Sequence, residues 1–340
     1  MPKKGEEDME KRGNKFENSW ILLLCITIFL SVFVNPCIGA EDPAKFPSRP
    51  ITMVIQWAAG GGTDLAGRKL ADLASKILGQ PIVVVNKVGG AGITGLSAIA
   101  QADPDGYTVG AVTYSAAVIV PHLREVPYKV KEDFTWVMQF GRYNDTFFVL
   151  GDSPWKTFKD FIEDARKNPG KLKYAPPGPQ GAEHIFMEWL FAKEKVKVTF
   201  VPASGGEVEA GRLLLGGHVE AAITTQLLGQ IGTGRVRALM GVQAENRLEA
   251  FPDIPTHYEM GYQFDTPNWI GVNAPKGLDP NILKKLYDAF KQASEDPSFK
   301  ELLDTLFVTK VFRDSDSFKE KVFKDFDNQA KILKEIGFIK

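Results

Sequence analysis

The stretch that decides the fold is residues 51–86, which read ITMVIQWAAGGGTDLAGRKLADLASKILGQPIVVVN. A short run rich in β-branched residues passes through three consecutive glycines, Gly60-Gly61-Gly62, into a helical pattern. The apolar positions of that pattern share one helix face: Ala66, Leu70, Leu73, Ala74 and Ile77. Four apolar residues, 82–85, then predict a strand buried in a parallel sheet, so the whole stretch forms one β-α-β unit.

The limits of this helix are marked by residues that favour helix ends. Thr63 or Asp64 is expected to cap its start with a side-chain oxygen, and Gly79 is expected to end it. The C-terminal part is predicted to be helical, with Asp279-Pro280 and Asp296-Pro297 marking the starts of two helices.

Strands, turns and helices alternate along most of the chain. A second glycine turn spans residues 89–92, a third loop residues 176–181, and a fourth turn residues 204–206, each between a strand-like run and a helical pattern. This alternation predicts an α/β fold. About 300 residues follow the first 40, which is enough for two α/β lobes.

Composition and charge narrow the function classes. The chain of 340 residues has 41 basic and 42 acidic side chains, so it needs no strongly basic face, and nucleic acid is disfavoured as a partner. Both cysteines, Cys25 and Cys37, precede residue 40, which excludes a disulfide framework and a cysteine-bound metal from the rest of the chain. The four histidines lack metal-ligand spacing, and the sequence has no P-loop, dinucleotide fingerprint or nucleophile elbow. We therefore predict no metal, no cofactor and no catalytic set.

The first 40 residues have the layout of a secretory signal. The segment Trp20–Val34 is apolar and uncharged over 15 residues, with basic residues before it and small residues after it. It is shorter than the roughly 20 residues that cross a bilayer as a helix. We expect residues 1–40 to be a signal peptide cleaved after Ala40. An uncleaved membrane anchor is the alternative, because acidic residues cancel the basic charge of this leader.

Glycine turns between a strand and a helix leave backbone N–H groups without partners at the helix start. These donors and the positive end of the helix dipole favour a bound anion. The turns at Gly60–Gly62 and Gly89–Gly92 follow successive strands, so they should open at the same sheet edge, where ligands bind in open α/β folds. A tight turn that needs positive φ explains one such turn. Two turns in consecutive units favour an anion site.

Few other side chains point to binding chemistry. Tyr114 and Trp269 follow apolar runs next to turns, where core packing is the usual role and a wall of the ligand cleft is the alternative. His184 opens the helix after the third loop, so it either reaches the cleft or has a structural role. For Asp64, ligand contact is the alternative to capping the helix.

An ordered series of motifs resembles the Bug (TctC-like) receptors, the extracytoplasmic solute-binding proteins of tripartite tricarboxylate transporters. The resemblance extends essentially from Phe46 to the C-terminus, in order and spacing. The motifs that carry it are FPSRPI at 46–51, AAGGGTD at 58–64, LGQPIVVVNK at 78–87, PDGYT at 104–108, PGKLKY at 169–174, LLGGHVE at 214–220 and FPDIPT at 251–256.

The resemblance implies a two-lobed, periplasmic-binding-protein-like (Venus flytrap) α/β fold. Its sheets would be mostly parallel and flanked by helices, with the ligand cleft between the lobes. The first lobe would comprise residues 41–145, the second lobe residues 146–261, and the chain would return to the first lobe and its C-terminal helices at 262–340. One ligand carboxylate would be bound by backbone amides of the two glycine loops, in agreement with the anion site inferred above.

The same resemblance assigns ligand-binding positions residue by residue. Those in the glycine loops are Ala59, Gly60, Gly61, Thr63, Asp64, Gly89, Gly90, Ala91 and Gly92. Those after the third strand and in the second lobe are Thr113, Tyr114, Gly181, His184 and Thr224. The second lobe departs from the family pattern, because Thr224 stands where an aspartate that often recognises a ligand amine is common. An amino acid ligand is therefore disfavoured, whereas a dicarboxylate, a tricarboxylate and an aromatic acid remain open.

The implied function is that of a non-catalytic, monomeric receptor in the periplasm. It would capture a small organic acid, without a cofactor or metal, and deliver it to a transporter built from a large and a small membrane subunit. The alternatives are a ligand sensor, a secreted α/β enzyme (a hydrolase or a nucleotide-using enzyme) and a structural interaction module. The enzyme would need a nucleophile–base pair or a cofactor fingerprint, and the sequence has neither.

Overall fold

The computed structural model describes residues 42–203, 205–242, 246–264 and 267–340. The predicted signal peptide, its cleavage after Ala40 and the alternative anchor lie outside the described residues. Residues 43–340 form a single unit. Within the described ranges, no helix has both the length and the apolar character needed to cross a membrane.

The elements alternate as the sequence predicts. The strands are β1 (Ile51–Ile55), β2 (Ile82–Asn86), β3 (Thr108–Thr113), β4 (Phe134–Tyr143), β5 (Thr146–Leu150), β6 (Lys173–Ala175), β7 (Thr199–Phe200), β8 (Ala221–Thr224), β9 (Val236–Gly241), β10 (Trp269–Pro275) and β11 (Val308–Arg313). The helices are α1 (Gly62–Leu78), α2 (Ile93–Ala100), α3 (Val120–Leu123), α4 (Phe158–Lys167), α5 (Ala182–Lys193), α6 (Glu207–Leu215), α7 (Pro280–Glu295), α8 (Pro297–Thr305) and α9 (Ser315–Glu335).

The strands form two mixed sheets flanked by helices. The first sheet has the order β11-β4-β10-β3-β1-β2, and the second has the order β7-β6-β8-β5-β9. Strand β1 pairs in parallel with β2 and β3, and β6 pairs in parallel with β7 and β8, as β-α-β connections require. The remaining pairs are antiparallel. The predicted two-lobed α/β fold is confirmed, but the sheets are mixed rather than mostly parallel.

The chain passes between the sheets twice, and the two passages lie side by side. Asn144 and Asp145 connect β4 to β5, and the return ends at Asn268, immediately before β10. The Tyr143 N–H donates to the Asn268 carbonyl at 3.1 Å, and the Val242 N–H donates to the Asp145 carbonyl at 2.7 Å. The limits proposed for the lobes stay a prediction: 41–145, 146–261 and 262–340.

The start of α1 differs from the sequence prediction. The residue at the N-cap position is Gly61, so Thr63 and Asp64 lie inside the first turn instead of capping it. The Asp64 carboxylate reaches back and accepts a hydrogen bond from the Gly60 N–H at 2.9 Å, which fixes the loop rather than the helix amides. The predicted end is confirmed, because Gly79 adopts φ 70° after the last turn.

Strand β2 is less buried than its apolar sequence predicts. It lies at the edge of the first sheet, so only one neighbouring strand protects it. Val83 is 50% exposed and Val85 is 39% exposed, whereas Ile82 is buried. The prediction of a fully buried strand was wrong because a run of valines does not distinguish a central strand from an edge strand.

The C-terminal helices begin where the sequence predicts. Asp279 and Asp296 cap α7 and α8 by accepting hydrogen bonds from backbone N–H groups two residues ahead. Helix α9 packs against the first sheet, where its Phe318 ring meets Trp136 of β4 and Trp269 of β10 edge-on. Asp325 of α9 accepts a hydrogen bond from the Trp269 indole at 2.9 Å, so the helix is tied to the start of β10.

Candidate ligand-binding site

The first glycine loop ends in helix-start amides with no side-chain cap among the described residues. With Gly61 at the N-cap, the first N–H groups of α1, from Gly62 to Asp64, have no acceptor within the helix itself. The Gly60 N–H is already used, because it donates to Asp64. The donors available to an anion are therefore those of the first helical turn rather than those of the preceding loop.

Asp64 is a positioning residue for this loop. It is only 2% exposed and accepts from Asn86 Nδ2 at 2.7 Å and from Arg68 Nε at 2.9 Å. Burial raises the pKa of Asp64, but the hydrogen bonds from Arg68, Gly60 and Asn86 outweigh it and hold the pKa below its usual value. The guanidinium of Arg68 is thus occupied by a protein carboxylate.

The second glycine loop has an irregular backbone. Gly89, Gly90, Ala91 and Gly92 all have positive φ, at 143°, 59°, 56° and 97°. A Cβ on Gly92 would lie 2.6 Å from the Cβ of Ala116, so glycine is required there by both conformation and space. Ala91 in this conformation costs roughly 1–2 kcal/mol, which marks the loop as held in place by its surroundings.

Both loops open at the same edge of the first sheet, as predicted. Strands β1 and β2 run parallel, and the Lys87 N–H donates to the carbonyl of Ile55 at 2.8 Å just past their ends. Asn86 joins the loops, because its Nδ2 donates both to the Trp57 carbonyl at 2.9 Å and to Asp64.

The residues after β3 lie deeper than the sequence suggested. Thr113 is 4% exposed, and its hydroxyl accepts from the Trp57 indole at 3.1 Å. Tyr114 is 1% exposed, its hydroxyl donates to Gln329 Oε1 at 2.8 Å, and its ring meets Trp269 edge-on at 5.8 Å. The structure therefore places the side chains of Tyr114 and Trp269 in the core rather than on a cleft wall.

Tyr143 adds a contact that sequence reasoning missed. Its hydroxyl lies 2.6 Å from the hydroxyl of Thr63, in the first turn of α1. A Cβ on Gly62 would lie 3.2 Å from the Tyr143 ring, so the absence of a side chain allows the phenol to pack against the helix start. The residues are too distant in sequence for any local pattern to pair them.

The third loop brings the second sheet's helix α5 against the first sheet's loops. The Ala182 N–H, in the first turn after Gly181, donates to Ser115 Oγ at 3.2 Å. Arg124 Nε donates to Gln180 Oε1 at 2.7 Å, from the same side. A Cβ on Gly181 would lie 2.8 Å from Glu183 Oε2, so glycine leaves room for that carboxylate.

His184 has structural contacts on both sides of its ring. Its Nδ1 accepts from the Gln180 N–H at 3.0 Å, and its ring packs on Phe200 with 4.2 Å between centroids. Burial lowers the pKa of His184 to about 4, so the imidazole is neutral at physiological pH. It holds the third loop in place, and ligand contact by His184 stays a prediction.

Thr224 is fully buried and is paired with an acidic side chain. Its hydroxyl donates to Glu207 Oε2 at 3.3 Å, and the Thr225 N–H donates to the same oxygen at 3.0 Å. The Thr225 hydroxyl donates to it as well. A carboxylate from the first turn of α6 is thus held beside Thr224, a role that no sequence pattern assigns to Glu207.

Three acidic side chains, Asp145, Glu183 and Glu207, form what we call the acidic cluster. Asn268 Nδ2 donates to Asp145 Oδ2 at 2.7 Å and to Glu183 Oε1 at 2.8 Å. Asp145 is 1% exposed and Glu183 is 8% exposed. Burial, with the neighbouring acidic charges, raises the pKa of Asp145 well above its usual value and that of Glu183 to about 7. The sequence analysis did not anticipate this cluster.

Comparison with known proteins identifies the family. Residues 66–338 match the model of the family described as "Tripartite tricarboxylate transporter family receptor" (TctC). This chain belongs to the TctC receptor family. It is 35% identical over 315 residues to the "UPF0065 protein in gbd 5'region" of Cupriavidus necator, covering 92% of this chain and 95% of that protein. It is 31% identical over 327 residues to "Protein BugT" of Bordetella pertussis, covering 93% and 97%. The resemblance to Bug receptors is confirmed.

Two solved structures that resemble this chain contain organic acids. MatC from Rhodopseudomonas palustris, with bound malate, has a TM-score of 0.75 and 25% identity, covering 85% of this chain and 100% of that one. Another R. palustris protein, with adipate, has a TM-score of 0.78 and 25% identity, covering 86% and 98%. As a TctC-family member, this chain is a solute-binding receptor.

Proposed function

We propose that this TctC receptor binds a small organic acid between its two sheets, with one carboxylate at the paired glycine loops. The observation that carries the proposal is the start of α1, where the N–H groups of Gly62, Thr63 and Asp64 lack a side-chain cap and follow β1, the parallel neighbour of the strand that leads into the second glycine loop. The relatives solved with malate and adipate support a carboxylate as the ligand.

Backbone amides can supply the binding energy without a cationic side chain. A hydrogen bond to a charged acceptor contributes about 1.5–3 kcal/mol, and the helix dipole adds roughly 0.3–1 kcal/mol. Arg68, the basic residue nearest this loop in the hydrogen-bond network, is engaged by Asp64. The carboxylate is therefore held by the N–H groups of α1 together with those of residues 89–91, since the Gly92 N–H donates to the Gly89 carbonyl at 3.0 Å.

The assignments made from the sequence fall into three groups under this proposal. Residues 59–64 and 89–92 shape the amide-lined site, with Gly60 and Asp64 fixing the loop by their mutual hydrogen bond. Thr113, Gly181, His184 and Thr224 support the loops that surround the site. Tyr114 acts through the core, because its hydroxyl is bound by Gln329.

The receptor would act in the periplasm as a monomer and hand its ligand to the large and small membrane subunits of a tripartite transporter. The family description supports this partner. Such a role needs binding and release without covalent chemistry, and it requires neither metal nor cofactor. Ligand sensing without transport is the second candidate, since the same binding site would serve it.

Ligand identification tests the proposal directly. The purified receptor is denatured and its released small molecules are identified by mass spectrometry, and calorimetric titrations with malate and adipate follow. Recovery of an organic acid, or saturable one-to-one binding of either acid, supports the proposal. A recovered nucleotide, or turnover of the bound compound, would instead favour the enzyme alternative.

The transport step needs a separate measurement. Uptake of the identified acid is compared in cells that express the membrane subunits with and without this receptor. Uptake that depends on the receptor supports delivery to a transporter. Unchanged uptake, together with a ligand-dependent change in gene expression, would favour the sensor.

A further inference from the structure

Two carboxyl groups share one hydrogen-bond donor where the chain crosses between the sheets. Asn268 Nδ2 donates to both Asp145 Oδ2 and Glu183 Oε1, so two carboxyl groups lie against one amide nitrogen. A carboxylate is only an acceptor, so two carboxyl groups brought together in this way can bond to one another only if one of them carries a proton. The other oxygen of Asp145, Oδ1, is buried and has no hydrogen-bond partner among the described residues.

No positive charge compensates this pair within the described residues. None of the three acidic side chains of the cluster takes part in an ion pair with Lys or Arg there. The groups that face Asp145 and Glu183 from the surrounding elements are Glu207 of α6, Tyr143 of β4 and Asn268 before β10. Two adjacent buried carboxylates without a counter-ion are strongly disfavoured, so one proton is retained.

The pair joins parts of the molecule that belong to different sheets. Glu183 lies in the first turn of α5, which flanks the second sheet, whereas Asn268 enters β10 of the first sheet. Loops from the two sheets are in contact here, through Ala182 and Ser115 and through Gln180 and Arg124. The two sheets are therefore in contact here, and separation of the sheets would break these contacts and withdraw Glu183 from Asn268.

The acidic cluster also lies next to the carboxylate site. The hydroxyl of Tyr143 contacts Thr63 in the first turn of α1. Burial raises the pKa of Tyr143 most, and the charges of Glu207, Asp145 and Glu183 add to that rise. A ligand carboxylate at α1 would therefore be repelled by these groups if all of them were ionised. Protonation of the pair lowers that repulsion.

We propose that Asp145 and Glu183 hold one proton between them in the closed receptor and release it when the lobes separate, so that organic acid binding is coupled to proton uptake. This inference rests on the proposed function. On closure, one proton from solvent binds a carboxyl oxygen of the pair as the ligand anion is enclosed. On opening, the same proton returns to solvent.

The direction of the pH dependence follows from the raised pKa values. The pKa of Glu183 is raised to about 7 in the closed form, chiefly by burial, and it returns toward its usual value near 4.3 once solvated. Closure is therefore most favourable at low pH, and its advantage is lost as pH rises toward about 7. Affinity falls by up to about tenfold per pH unit in that range and levels off above it.

Calorimetry with malate and adipate as probes tests the coupling. Titrations at about pH 6 in buffers of different ionisation enthalpy should show about one proton taken up per ligand, and titrations near pH 8.5 should show almost none. Glu183→Gln keeps an acceptor for Asn268 and should abolish both the uptake and the pH dependence of affinity. Asp145→Asn is the second variant. The matched control is Glu163→Gln, an exposed position on α4, which should behave like the wild type.

Each result decides one claim. Binding without proton uptake at pH 6, or pH-dependent affinity that persists in both variants, overturns the inference and leaves the proposed function intact. Failure of any organic acid to bind overturns the proposed function. In that case the thermal unfolding of the ligand-free protein decides the inference: stability that falls between about pH 5.5 and about pH 7 in the wild type but not in Glu183→Gln supports the shared proton, and identical profiles refute it.

Discussion

The hydroxyl groups of Tyr143 and Thr63 lie 2.6 Å apart, although 80 residues separate them in the sequence. Tyr143 ends the strand that leads out of the first sheet, and Thr63 lies in the first turn of the helix whose amides are proposed to bind the ligand. The contact therefore links the crossing between the sheets to the binding site.

Removal of this contact should weaken ligand binding more than folding. Tyr143→Phe leaves the ring packed against Gly62 but deletes the hydroxyl, at a cost of about 0.5–1.5 kcal/mol in the free energy of unfolding. We expect affinity for the organic acid to fall several-fold, measured by calorimetry beside urea unfolding. Tyr287→Phe on α7 is the control, and equal affinities of the two variants would contradict the role given to Tyr143.

The ionised Asp64 carboxylate should stabilise the first glycine loop at neutral pH, and this stabilisation should be lost in acid. Its pKa is lowered by hydrogen bonds in the folded protein, so it adds stability above its usual pKa of about 4, and this is lost as pH falls through the folded value. Asp64→Asn should reduce affinity at pH 7 and remove part of the loss of stability in acid. Asp72→Asn, an exposed partner of Lys76 on the same helix, provides the comparison. Similar acid unfolding curves for both variants would refute the prediction.

A methyl group at Gly92 should disrupt the second glycine loop. Its Cβ would approach Ala116 within 2.6 Å at φ 97°, so Gly92→Ala should lower the free energy of unfolding by about 1–3 kcal/mol and reduce ligand affinity. Gly79→Ala has positive φ but open space around it, and should cost about 1 kcal/mol without affecting affinity. The measurements are denaturant unfolding and calorimetric titration. Wild-type affinity in Gly92→Ala would exclude this loop from the site.

Protonation of the buried His184 imidazole should lower the stability of the folded protein in mild acid. Its pKa is lowered to about 4 by burial, so the stability present above about pH 6.5 is lost as pH falls toward 4. His184→Asn retains an acceptor for the Gln180 N–H and cannot ionise. The difference in melting temperature between wild type and variant should therefore shift in favour of the variant as pH falls, and a constant difference would contradict it. His218→Asn provides a matched histidine control.

The parts of the fold that sequence predicted best are those with local signals. The end of α1 at Gly79 and the caps of α7 and α8 depend on neighbouring residues, and the structure confirms them. The parallel pairing of β1 and β2 followed from the helix between them. The burial of β2 was wrong, because edge position depends on which strand ends the sheet, and an apolar run does not encode that.

The candidate site was predictable only where one segment makes it. The two glycine loops carry their own signature, so their common edge could be inferred from the chain order. Tyr143, Asp145 and Asn268 come together only through the crossing of two distant segments. Patterns among neighbouring residues do not indicate contacts between segments that are far apart in the sequence. Glu183 and Glu207 also look like ordinary acidic residues of a first helical turn, which concealed the burial of Glu183 and the environment that the two share.

The pairing of Asp64 with Arg68 means that, in the proposed site, affinity for a carboxylate and selectivity among organic acids depend on different groups. Because the guanidinium of Arg68 is paired with Asp64, the proposed site at the start of α1 would bind a carboxylate through backbone amides, which do not distinguish one organic acid from another. Under the proposed function, discrimination among acids then depends on side chains outside this loop, such as Thr224 at the end of β8 and Glu207 at the start of α6. Substitutions at those side chains alone could then change which organic acid a related receptor binds.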